Sequence, residues 1–257
     1  MIDSEIFNCH YTDSGNAEAL ALLFGDKLRY VHNIGWHVWN GQYWRPDEDH
    51  KVTEFVKELA KERQMLVVEL SARDKDDSAG IIKNKMAKAF QLENKGKIAN
   101  CLKMAESAPP FSTLSNELDS HPMLLSCPNG TVDLETGKLR SASPDDLITN
   151  CTSVNYVPGA TAPRWEKFLD EIFILTPGMP DYELIDWVQR LLGYVLTGRV
   201  NERCLPVGYG EGANGKSTLI DTISHILGSY SGTASFTNFL ERQLDGSTND
   251  VAAMRGK

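Results

Sequence analysis

The chain lacks any long apolar run. Nowhere do hydrophobic residues approach the roughly 20 consecutive positions that a membrane-spanning helix requires. Cysteine is sparse, five in 257 residues, and none of Cys9, Cys101, Cys127, Cys151 and Cys204 forms a C-x-x-C pair. An odd, dispersed set argues against a disulfide framework and for reduced thiols in a cytoplasm. The first fifteen residues are polar and acidic, so a secretory signal is not expected. Positive charge is also short: 26 Lys and Arg against 35 Asp and Glu give a net charge of −9. That balance does not suit a protein that grips nucleic acid by bulk charge. Repeats and low-complexity tracts are missing too. What remains is a chain with 41% hydrophobic residues, enough for one large or two modest globular domains.

Against that background one segment is specific. Gly210-Glu211-Gly212-Ala213-Asn214-Gly215-Lys216-Ser217-Thr218 fits the phosphate-loop pattern G-x-x-x-x-G-K-[ST]. A polyphosphate needs a concave row of backbone N–H donors and a cation. Gly210, Gly212 and Gly215 let the backbone wrap closely, since no Cβ intrudes and positive φ is allowed. Lys216 is positioned to reach the β- and γ-phosphates of ATP and is the candidate catalytic residue. The Ser217 hydroxyl is the candidate Mg²⁺ ligand. The loop should open a helix whose N-terminus favours anions. Leu219, Ile220, Ile223, Ile226 and Leu227 follow at helical spacing, and Gly228 is placed to stop that helix. Before the loop, Cys204 to Tyr209 reads as a short buried strand, with Pro206 as a flaw in it.

Elsewhere the chain alternates. Asn16 to Leu23 predicts a short helix. Trp36 to Trp44 predicts a hairpin turning at Asn40-Gly41, with Val38 opposite Tyr43 and His37 opposite Trp44. Residues 52–107 read as helical, with a polar break at Asp74 to Gly80 and an end at Pro109-Pro110. Met123 to Arg140 switches to strands around turns at Pro128-Asn129-Gly130 and Glu135-Thr136-Gly137. A loop-rich stretch from Asn150 to Pro163 sets a boundary between residues 1–150 and 151–257. Apolar stripes at Trp165, Phe168, Leu169, Ile172 and at Leu184, Trp187, Val188, Leu191, Leu192 then lead helically to the loop.

Other candidates are weaker. Cys9, His10, His32 and His37 match no zinc spacing and read as structural. Asp47-Glu48-Asp49 closes no apolar strand and reads as a solvated loop. Asp145-Asp146 after Pro144 reads as helix-start chemistry. Between Gly80 and Met104 stand six lysines (Lys83, Lys85, Lys88, Lys95, Lys97, Lys103) and one acid, Glu93. They suit either DNA phosphate or, as the plainer reading, a solvated helical face.

The loop, with Glu211 and Asn214 at those places, resembles that of the superfamily 3 helicases, the helicase halves of phage and plasmid primase-helicases, related to poxvirus-type helicase-primases. Leu118-Asp119-Ser120-His121-Pro122, Leu124-Leu125 and Asn129 to Gly137 resemble the accessory domain that precedes the ATPase in that family. So do Pro163 to Leu169, Leu191-Leu192-Gly193-Tyr194 and Leu196-Thr197-Gly198. Val251 to Lys257 resembles the stretch before the second ATPase motif. The resemblance implies an α/β and α+β fold: a mixed N-terminal accessory domain, then the beginning of a P-loop NTPase domain of AAA type. It implies an ATP- and Mg²⁺-dependent DNA-unwinding motor acting on single-stranded or forked DNA in a bacterial host's cytoplasm. Partners would be primase or other replication proteins and further copies of the chain in a ring.

Hydrolysis also needs an apolar strand ending in acids. After Ser217 no such strand is found; Glu241, Asp245 and Asp250 sit in polar surroundings. The expectation is therefore a chain truncated after the first ATPase motif, without appreciable ATP turnover alone. The alternatives are a non-catalytic DNA- or partner-binding accessory module, and a small-molecule kinase, for which too few residues follow the loop.

Overall fold

A computed structural model of the protein describes residues 2–73 and 80–234. The fold mixes helices with largely antiparallel sheets in an α+β arrangement. Two compact units make it up: Met1–Asn40 with Trp44–Leu118, and Gly41–Tyr43 with Asp119–Lys257.

The first unit begins with α1 (Ile2–Asn8) and α2 (Asp13–Phe24), then β1 (Leu28–Val31), β2 (Gly35–Trp39) and β3 (Trp44–Pro46). Helices α3 (Lys51–Arg73), α4 (Ile81–Gln91) and α5 (Lys95–Ala105) follow, and β4 (Ser112–Thr113) closes the unit. The sheet order is β3-β2-β1-β4, with β4 joining β1 in parallel. Thr12 caps α2, its hydroxyl accepting from Gly15 N at 3.2 Å. One core gathers Ile6, Leu20, Phe24, Leu28, Val38, Val56, Leu59, Leu92, Ile98 and Phe111.

The aromatic hairpin forms, but not in the expected register. Trp39 pairs with Trp44, Val38 with Arg45 and His37 with Pro46. The loop therefore takes four residues, Asn40 to Tyr43, instead of two. The slip moves each partner by two positions, so every side chain keeps its predicted face. Its gain is aromatic: the Trp39 and Trp44 rings lie 5.5 Å apart, and the Arg29 guanidinium sits 4.8 Å over Trp44.

In the second unit β5 (Leu124–Cys127), β6 (Gly130–Asp133) and β7 (Lys138–Arg140) form an antiparallel sheet in chain order. Both turns foreseen there are present. At the second, the Asp133 carboxylate accepts from Glu135 N and Thr136 N at 2.9 and 3.0 Å, and Gly137 takes φ 67°. A 3-10 turn at Pro144–Asp146 comes next. After it come α6 (Pro163–Ile172), a small hairpin of β8 (Ile174–Thr176) with β9 (Met179–Pro180), α7 (Tyr182–Leu196) and α8 (Lys216–Leu227). A compact apolar cluster of Leu125, Cys127 and Val132 packs with Leu139, Tyr156, Leu196 and Tyr230.

The buried strand expected at Cys204 to Tyr209 is not there. Those residues join no sheet among the described residues. Leu205, Val207 and Tyr209 are 69, 73 and 91% exposed. A strand exists only through pairing, and nothing described pairs with this segment; Pro206 further removes one donor.

Candidate functional site

The glycine-rich segment runs straight into α8, whose first residue is Lys216. Gly210 takes φ 147°, Ala213 φ 62° and Gly215 φ 84°. Three positive-φ residues within six positions fold the backbone back on itself, and glycine at two of them adopts that conformation without steric cost. Gly215 is the N-cap and supplies no side-chain bond to the first turn. Leading helical N–H groups have no intrahelical partner. No acid stands in that turn either. The head of α8 thus presents positive dipole and no side-chain cap.

Lys216 points back over the loop. Its Nζ donates to Gly210 O at 3.0 Å, Glu211 O at 2.9 Å and Asn214 Oδ1 at 2.7 Å. An ammonium has three donors, and the loop orients all of them to its own inner rim. Residues 210–214 are exposed, as are Ser217 and Thr218. The chemistry on offer is a cation, a turn of backbone donors and an accessible hydroxyl, a set suited to an anion with a coordinated cation.

Two ties hold α8. At its head, a Cβ on Gly215 would lie 2.5 Å from Ile172 Cγ2 and 3.3 Å from Phe168, so the missing side chain lets α6 press against the loop. At its tail, Gly228 is the C-cap with φ 58°, as its place after Leu227 predicts. Ser153 N donates to Ile226 O at 3.1 Å, Ser229 N to Cys151 O at 3.1 Å, and Cys151 N to Ser229 Oγ at 2.8 Å. Ser126 N donates to Tyr230 Oη at 3.1 Å, joining β5 to the residues beyond α8. Burial pushes the Tyr230 phenol and the Cys151 thiol above their usual ranges. Phe168 and Ile172 were visible in the sequence as an apolar stripe, yet nothing there indicates that they meet Gly215. The Cys151–Ser229 and Ser126–Tyr230 links leave no sequence signal.

The remaining candidates fall apart into structural roles. Asp47 caps α3: its carboxylate accepts from Lys51 N at 2.7 Å and Val52 N at 3.2 Å. Asp49 pairs with Arg45 at 2.9 Å, and that guanidinium holds its carboxyl below the usual range. Asp146 pairs with Arg140 at 2.6 Å, and Ser143 Oγ accepts from Asp145 N. His32 Nε2 bonds Ser112 Oγ at 2.9 Å and His37 Nδ1 bonds Gly35 O at 3.1 Å. No group of three His, Cys, Asp or Glu among the described residues could hold a metal ion. Glu241, Asp245, Asp250 and Val251 to Lys257 lie outside the described residues, as do Asp74 to Ala79. No described helix is long and apolar enough to cross a membrane.

One charged residue escaped sequence reasoning altogether. Arg63 on α3 is fully buried and has no carboxylate at ion-pair distance among the described residues. Its guanidinium donates to Asn16 Oδ1 at 2.8 Å, Gly15 O at 3.1 Å and His10 O at 3.4 Å. It lies 4.2 Å from the Tyr11 ring centroid. Burial lowers its pKa from the usual arginine value. It pins the α1–α2 connection, where a Cβ on Gly15 would sit 2.0 Å from His10 O.

Residues 17–174 match the family model described as D5 N terminal like. The loop at 210–218 lies outside that match. A candidate helicase of Acanthamoeba polyphaga mimivirus, L207/L206, is 34% identical over 115 residues, 43% of this chain and 11% of that protein. A candidate helicase of Invertebrate iridescent virus 6, 184R, is 26% identical over 143 residues, 56% of this chain and 15% of that protein. A candidate primase of African swine fever virus, C962R, is 27% identical over 154 residues, 57% of this chain and 16% of that protein. The alignments thus take in only a small part of each relative's length.

Proposed function

The chain belongs to the D5 N-terminal-like family, and on that premise we propose that it is the ATP-binding part of a DNA-replication helicase-primase. Superfamily 3, as in phage and plasmid primase-helicases, is the helicase class whose loop it resembles. In this reading residues 1–150 are the accessory part, and residues 151–257 lead into and begin an NTPase domain of AAA type. Gly210 to Thr218 cradle the triphosphate, Lys216 neutralises the β- and γ-phosphates, and Ser217 ligates Mg²⁺. DNA, replication proteins and further copies of the chain in a ring are the expected partners. The carrying observation is Lys216: its ammonium is aimed into a loop bent by Gly210, Ala213 and Gly215, at the head of a helix with no side-chain cap. The match over 17–174 and the names of the viral relatives support the replication context.

The test is equilibrium binding of a fluorescent ATP analogue, with and without Mg²⁺. Lys216→Ala should weaken binding about ten- to a hundredfold, the scale of one or two charge-assisted hydrogen bonds. Ser217→Ala should remove most of the benefit of Mg²⁺. Nucleotide affinity equal in wild type and Lys216→Ala would sink the reading. It would leave the alternative, a non-catalytic accessory module that binds DNA or a partner protein.

A further inference from the structure

Within the loop, the acceptors around the Lys216 ammonium are of two kinds. Gly210 O and Glu211 O, at 3.0 and 2.9 Å, belong to the main chain and go where the turn puts them. The third and nearest, Asn214 Oδ1 at 2.7 Å, is a side-chain atom. Residues two apart on a helix do not face each other. Here Gly215, with φ 84°, stands between the two, and Ala213 precedes them with φ 62°. That double left-handed step brings Oδ1 onto Nζ. The other end of the same amide is fitted as closely: a Cβ on Gly210 would lie 2.5 Å from Asn214 Nδ2. Gly210 therefore has a local reason to lack a side chain, which is to leave room for the Asn214 carboxamide. That one group spans the loop from its first glycine to its lysine.

The chemistry of this acceptor matters. Fixing a free lysine side chain costs about 1.5 to 2 kcal/mol of rotamer freedom, and an exposed ammonium competes for water. A third fixed acceptor holds Nζ over the loop before any anion arrives, which reduces that cost at binding. A carboxylate at the same place would hold it too, but would cancel the charge that a phosphate needs. A neutral amide oxygen orients the cation and leaves its charge intact. Its bond is also the easily exchanged one of the three: it is exposed, it rests on a side chain, and a charged phosphate oxygen is a stronger acceptor than an amide.

We propose that Asn214 is a positioning residue: it acts on a bound triphosphate through Lys216, by holding the ammonium over the loop and handing it to the phosphates. This rests on the nucleotide reading of the loop and assigns one of its residues a separate task. The test is a double-mutant cycle on the full chain, with a fluorescent ATP analogue and Mg²⁺, over wild type, Asn214→Ala, Lys216→Ala and the double variant. Asn214→Ala should weaken binding about three- to tenfold, the scale of one hydrogen bond. Circular dichroism and urea unfolding of that variant should match wild type, since Asn214 is exposed. In the Lys216→Ala background the same substitution should change affinity less than about twofold, because the group it positions is gone. A residue that merely shapes the loop would lower affinity by the same factor in both backgrounds, and that result would overturn the proposal. So would wild-type or tighter binding by Asn214→Ala while Lys216→Ala is weakened, an outcome that leaves the loop reading standing. Equal affinity in all four proteins would sink both.

Discussion

Helix α5 and helix α8 are nearly equal in length and carry comparable apolar residues, yet they are held in opposite ways. In α5, Ile98, Cys101 and Ala105 are buried in a core that reaches from Ile6 to Phe111. In α8 no residue is fully buried, and Ile220 and Ile226 are 59 and 41% exposed. The first is fixed along its length by packing, which removes apolar area from water at roughly 25 cal/mol per Å². The second is fixed at its ends, by Gly215 against Ile172 and by Cys151, Ser153 and Tyr230 at the tail. A fold element and a site element are thereby distinguished. Mutations along α5 should be felt as global stability, whereas mutations at the ends of α8 should be felt in the loop.

The sharpest way to break that distinction is Arg63→Ala. It strips hydrogen bonds from two buried acceptors, Asn16 Oδ1 and Gly15 O, and from His10 O, and should destabilise the first unit by about 3 kcal/mol. Urea unfolding followed by tryptophan fluorescence measures this, and nucleotide affinity should not move. Next comes Gly215→Ala, which puts a Cβ 2.5 Å from Ile172 Cγ2 at a residue with φ 84°. Strain of about 2 kcal/mol is expected. It should appear as a roughly tenfold loss of nucleotide affinity, with the unfolding of the first unit unchanged. If that unit unfolds earlier, the two regions are not separable as described.

A pH titration sharpens the same contrast. Burial pushes the Cys101 thiol from 9.0 up to about 12. The neutral form is favoured in the fold, so its contribution is complete below about pH 9 and is lost as pH rises toward 12. Between pH 8 and 10 the first unit should lose about 1 kcal/mol through this group, and Cys101→Ala should show a flatter dependence. The smallest effect belongs to Tyr230→Phe. Loss of the bond from Ser126 N should cost about 0.5 to 1 kcal/mol and be visible as faster amide exchange at Ser126.

Periodic features were legible in the sequence. The helical stripes of α6, α7 and α8, the turns at Pro128-Asn129 and Glu135-Thr136-Gly137, and the stop at Gly228 each follow from local chemistry, and the structure has them all. Features decided by pairing partners were not. The Trp39–Trp44 register depends on how two indoles meet, and Asn40-Gly41 alone does not specify that. The segment from Cys204 to Tyr209 has strand composition, but composition provides no neighbour to bond. Arg63 was invisible for a related reason: an arginine among glutamates on α3 reads as surface, and Asn16 Oδ1 with the carbonyls of Gly15 and His10 makes its burial tolerable. At the loop, the sequence indicated which residues come together, and the structure adds how Lys216 is aimed and what Gly215 touches.

The account rests on a triphosphate occupying residues 210–218. Hydrogen–deuterium exchange resolved by peptide, with and without a non-hydrolysable ATP analogue and Mg²⁺, tests this most directly. Slowed exchange confined to the segment around Gly210 to Ile220, and abolished in Lys216→Ala, is the predicted result. Protection that arises elsewhere, or that persists unchanged in Lys216→Ala, would contradict it.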